Sequence, residues 1–169
     1  MNNMPSYPWM AQAPGKNFLL VTGILLIVFN GLGILGTAIT LLGINEWLRM
    51  FGDESMRGTL ILTHTAHIPI PLFSIAVGIM GIALRNKVEK GKMLFNISIV
   101  AIIIGVIYNV IFAAVTNILS ESGFSVRFGI PILLILYAVG AHKNKKAHEA
   151  AQHGHQNDNI EDIAKQLKK

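Results

Sequence analysis

No cysteine occurs among the 169 residues. Disulfides, thiol redox chemistry, cysteine-ligated zinc and iron–sulfur clusters are therefore excluded. Charge is nearly as scarce, at 14% of the chain, and its distribution is uneven. No ionisable side chain lies between Lys16 and Glu46, and only His64 and His67 lie between Arg57 and Arg85. Nothing that charges at neutral pH lies between Lys92 and Glu121, and from Phe124 to Ala141 the charge is Arg127 alone. A bilayer core about 30 Å thick is crossed by about 20 apolar residues in a helix. Lipid offers no partner to an exposed peptide group, so such a crossing must satisfy its own backbone. The sequence therefore predicts an all-α integral membrane protein, a four-helix transmembrane bundle within residues 17–142. Its spans are expected at about 17–43, 59–84, 93–119 and 124–141.

The charges that are present sit at the ends of these stretches. Lys16, the turn with Arg85, Lys87, Lys90 and Lys92, and Lys143, Lys145 and Lys146 with the lysines of the tail fall on one side. The other side holds Arg49, Arg57 and Arg127 among Glu46, Asp53, Glu54 and Glu121. By the positive-inside rule both termini are expected in the cytoplasm, in a multi-pass protein of the cell membrane. The net charge of +5 then belongs to lipid headgroups rather than to nucleic acid. The expected partners are the lipid bilayer and either another membrane protein or a second copy of the chain. Residues 1–16, with Pro5, Pro8 and Pro14, read as a mobile cytoplasmic arm. The first apolar run is too long for a signal h-region and reads as a retained span.

Residues 143–169 read as a polar cytoplasmic tail. In it Asp158 and Glu161 form a capping-box pattern, and Ile160, Ile163, Ala164 and Leu167 share one helical face. A short amphipathic helix starting there is expected. Trp47, Leu48, Met50 and Phe51 alternate with polar residues after the first span and suggest a short interfacial segment. Pro69 and Pro71 disturb the start of the second span. Either the helix kinks there, or Pro69 opens the helix and 59–68 is a separate piece. Val28-Phe29-Asn30 with Thr37 is echoed by Ile107-Tyr108-Asn109 with Thr116, and Ile70-Pro71 with Gly78 by Ile130-Pro131 with Gly140. The two hairpins are either an internal duplication or a chance likeness of simple apolar segments.

Glycines 31, 33 and 36 spell G-x-G-x-x-G, but a dinucleotide fingerprint needs a preceding strand, and these glycines lie mid-span. Small residues at such positions let helices approach closely, so Gly33, Gly36, Ser74, Gly78 and Gly105 are expected at helix contacts. Asn30 and Asn109 would sit near mid-bilayer, where an interhelical amide hydrogen bond contributes about 0.6–2 kcal/mol.

His64 and His67, at i and i+3, are the candidates for a ligand or proton-linked role, together with Tyr108, Asn109 and Asn117. The alternative is that both imidazoles bond to Thr63, Thr65 or loop carbonyls as structural groups. Two histidines are too few for a structural zinc site without a carboxylate from Glu46, Asp53, Glu54 or Glu121. A haem pair would need a facing histidine at similar depth, and His142 lies at the other membrane face. No metal or other cofactor is expected, and the flexible set His148, His153, His155 and Asp158 pre-organises none. Arg127 either snorkels to the surface or pairs with Glu121.

Without a hydrolytic or metalloprotease pattern, the expected role is a non-enzymatic accessory subunit, scaffold or regulator. The alternative is a small transporter or ligand-binding protein with an outward-facing pocket around His64 and His67. In plan the chain resembles many small four-span membrane proteins, bacterial ones included; that likeness is architectural and carries no functional residue.

Overall fold

The computed structural model describes residues 13–51, 57–120 and 129–167, and among these no strand occurs. The arm before residue 13, Asp53, Glu54, Glu121 and Arg127 lie outside the described residues. So do the side chains of Trp47, Thr116, Asn117, His155 and Asp158. Among the described residues five α-helices follow one another: α1 Lys16–Phe51, α2 Arg57–Ala66, α3 Pro69–Leu84, α4 Gly91–Ser120 and α5 Gly129–Leu167. A 3₁₀ turn, Val88–Lys90, joins α3 to α4. Among the described residues three segments are apolar and long enough to cross a membrane: Lys16–Met50, Arg57–Leu84 and Val88–Ala114.

Local chemistry explains where these elements begin and end. Pro14 and Gly15 form the turn before α1, and the Lys16 amide donates to the Ala13 carbonyl at 3.1 Å. From there nothing interrupts α1, so the segment around Trp47 forms its last turns rather than a separate interfacial piece. Prolines shape the second apolar segment. Pro69 and Pro71 have no amide to give, so the Thr65 and His67 carbonyls lose their i+4 donors. The chain tightens instead: His67 N–H donates to His64 O at 3.2 Å and Ile68 N–H to Thr65 O at 3.1 Å. Pro69 then opens α3, where a missing donor costs least. Of the two expected forms, the separate piece is found.

α5 is apolar to Ala141 and polar beyond His142, yet it stays one helix of 39 residues. The expected helix start at Asp158 is thereby corrected, because Asp158 lies inside α5. The Ala, Lys, Glu and Gln residues of 145–152 are good helix formers and carry the helix across the polar boundary.

α1 packs on α3 and on α5, α5 packs on α4, and α3 touches α4 lightly. The core is Leu19, Leu26, Val77, Leu94, Ala101, Leu134, Tyr137 and Ala141. Most of these lie toward the end that carries Lys16, Arg85 and Lys143, here termed the basic end. Close approach there depends on glycine. A Cβ at Gly78 would lie 2.7 Å from the Gly23 carbonyl oxygen, and one at Gly23 would lie 2.8 Å from that of Gly78. A Cβ at Gly81 would lie 2.3 Å from the Tyr137 ring, and one at Gly91 would lie 2.4 Å from the Lys145 amide nitrogen.

Of the residues expected at helix contacts, Ser74 and Gly78 are buried against neighbouring helices. Gly33, Gly36 and Gly105 are not close-contact points within the chain, since a Cβ on any of them would meet nothing within 4 Å. Gly105 on α4 is buried nonetheless, whereas Gly33 and Gly36 lie on an open stretch. Residues 31–43 of α1 include no buried residue, and neither does α2.

Candidate functional site

The expected pocket around His64 and His67 divides into two places. His67 sits in the turn between α2 and α3 and faces α4. Its ring centroid lies 3.8 Å from that of Phe112, which covers it. The Tyr108 hydroxyl donates to the Ala66 carbonyl at 2.7 Å and lies 3.1 Å from His67 Nδ1. A carbonyl only accepts and the hydroxyl has one proton, so His67 Nδ1 must donate to Tyr108 Oη. This cluster ties the proline-broken segment to α4.

His64 turns the other way. Its Nδ1 lies 2.8 Å from the Leu60 carbonyl, one turn back along α2. With Leu60 it faces Thr40, Gly43 and Ile44 of α1 across a groove of about 430 Å³. Thr63 and Thr65 hydroxyls bond to the carbonyls of Thr59 and Ile61, not to an imidazole. Among the described residues no three of His, Asp or Glu gather as a metal site.

Asn109 does not join His67 in a shared polar cavity: its Nδ2 donates to Gly105 O at 2.7 Å. Asn30 does the same, to Leu26 O at 2.6 Å. Both bonds lie within one helix, which corrects the expectation of interhelical amide pairs. The matching geometry at the two Val/Ile-aromatic-Asn motifs fits their likeness in sequence. The Asn30 Oδ1 is buried without a partner among the described residues.

The polar group that does join helices was not among the candidates. Asn144, fully buried on α5, accepts from the Gly15 amide at 2.7 Å and donates to the Arg85 carbonyl at 3.1 Å. It thereby links the start of α1 and the end of α3 to α5, at helix termini whose backbone groups lack intrahelical partners. Lysines frame the same end: Lys143 Nζ lies 4.4 Å from the Phe18 ring centroid and Lys145 Nζ lies 5.3 Å from that of Phe95. A signal existed in the spacing, since Tyr137, Ala141 and Asn144 fall at i, i+4 and i+7 on one face.

Comparison with family models, with curated proteins and with solved structures finds no match.

Proposed function

We propose that the chain is a four-span protein of the cell membrane, with the basic end and both termini in the cytoplasm. In this reading it acts without catalysis, as an accessory subunit, scaffold or regulator that assembles with a membrane protein or a second copy. One observation carries the reading: residues 31–43 of α1 are left uncovered. Leu32, Leu35, Ile39 and Leu42 are exposed there, the last at 85%, with Gly33, Gly36, Thr37 and Thr40 between them. In water such a surface would drive aggregation. In lipid, small residues at this spacing allow another helix to approach within backbone contact.

The fourth span would be the apolar part of α5 together with the residues before it. The Lys and Arg asymmetry supports the orientation, and the lysine–aromatic contacts suit the headgroup region of the basic end.

Light scattering on the full chain in mild detergent tests the role. The expected protein mass exceeds the 18.4 kDa of one chain, and Gly36→Leu, which fills the open stripe, lowers it toward that value. A wild-type particle of one chain, with nothing co-purifying, would count against the proposal.

A further inference from the structure

We propose that the groove between α1 and α2 binds a membrane-dissolved amphiphile whose headgroup donates a hydrogen bond. The groove, about 430 Å³, is bounded by Thr40, Gly43 and Ile44 on one side and Leu60 and His64 on the other. That volume falls in the range of small-molecule sites. Gly43 helps to open it, as a Cβ there would meet nothing within 4 Å.

The polar atoms of the walls decide the chemistry. Thr40 Oγ1 donates its proton to the Gly36 carbonyl at 3.0 Å. His64 Nδ1 lies 2.8 Å from the Leu60 carbonyl, and since a carbonyl only accepts, Nδ1 carries the proton. With the proton on Nδ1, Nε2 is left as the ring's acceptor, and His64 lines the groove. Thr40 Oγ1 likewise keeps only acceptor capacity. The groove therefore offers two acceptors and no spare donor. Thr40 is exposed and His64 half-buried, so a ligand seated over them that lacks a donor would shut both acceptors away unpaired, and each group so buried costs about 1–3 kcal/mol. A hydroxyl or a primary ammonium satisfies them.

The surroundings fix the rest of the ligand. Ile61 and Leu62 on α2, the helix that forms one wall, are exposed. An apolar tail would lie along them. The inference rests on the membrane reading above, so insertion is checked separately, by resistance of the chain to carbonate extraction.

The test uses the full chain in phosphatidylcholine nanodiscs, a lipid whose quaternary headgroup donates no hydrogen bond. Photoactivatable long-chain probes are compared in matched pairs: an alcohol with its methyl ether, and a primary amine with its trimethylammonium. Labelled peptides are mapped by mass spectrometry. At least one donor probe is expected to label residues 40–44 and 60–64 about 5-fold more than its donorless twin, as one hydrogen bond allows. Which pair responds identifies the headgroup as hydroxyl or ammonium. His64→Phe, which keeps a ring but removes one of the two acceptors, is expected to lower the difference, and His64→Phe combined with Thr40→Val to abolish it. Equal labelling within both pairs by the wild-type chain overturns the proposal without recourse to any variant. A donor preference that survives in the combined variant overturns it too.

Discussion

Asn144→Leu is expected to destabilise the chain by about 2–5 kcal/mol, because it leaves a buried backbone amide and a half-buried backbone carbonyl unpaired at once. The Gly15 amide loses its acceptor and the Arg85 carbonyl loses its donor, while leucine fills a similar volume. For a chain of this size that corresponds to a fall of roughly 5–15 °C in thermal midpoint. The Gly15 amide should also exchange its hydrogen much faster, which a general loss of packing at another end would not cause. Asn86 provides the control: it is exposed in the turn after α3. Asn86→Leu is expected to shift the midpoint little, and equal shifts for the two variants would show that Asn144 is not the link between the three helices.

Gly78→Ala carries the second large effect. The added Cβ would stand 2.7 Å from the Gly23 carbonyl oxygen and 3.3 Å from Leu26 Cβ. A backbone carbonyl cannot step aside as a flexible side chain does, so α1 and α3 must separate. Overpacking of this kind costs about 1–3 kcal/mol. The same substitution at Gly154, in the exposed polar part of α5, is expected to have the opposite sign. There the Cβ enters open space, and replacing a helical glycine by alanine stabilises by roughly 0.5–1 kcal/mol. Unfolding in detergent, followed by circular dichroism for both variants, gives the comparison. A Gly78→Ala chain as stable as wild type would mean that the two helices do not cross at these glycines.

The helical class and the positions of the apolar segments were legible in the sequence, because the spacing of charges marks helix ends directly. The break at Pro69 was legible as one of two forms, since a missing donor can either kink a helix or start one. The contacts of Tyr108 with Ala66 and His67 that accompany the break depend on α4 and so cannot be read along α2. The continuity of α5 was not legible: Asp158 and Glu161 match a helix start, but the pattern holds equally well inside a helix that began earlier.

Glycine was the least readable residue. Gly33, Gly36 and Gly78 look alike in sequence, yet only Gly78 lies at a crossing, because crossing positions depend on the angle between two helices. His64 and His67 look paired at i and i+3, but the turn at 67–68 sends their rings to different neighbours. Asn144 was passed over for a physical reason as well. A basic run of Lys143, Asn144, Lys145 and Lys146 resembles a solvated turn, whereas its asparagine sits on the buried face of a continuing helix.

Because the chain contains no cysteine, single introduced cysteines report its threading through a membrane without background. Asn86→Cys, Gln152→Cys and Gly58→Cys place thiols at three exposed positions. In intact cells a membrane-impermeant maleimide is expected to label Gly58→Cys, and to reach Asn86→Cys and Gln152→Cys only after the membrane is opened. Labelling of Asn86→Cys in intact cells, or of all three thiols in a chain that leaves the membrane in plain buffer, would contradict the account.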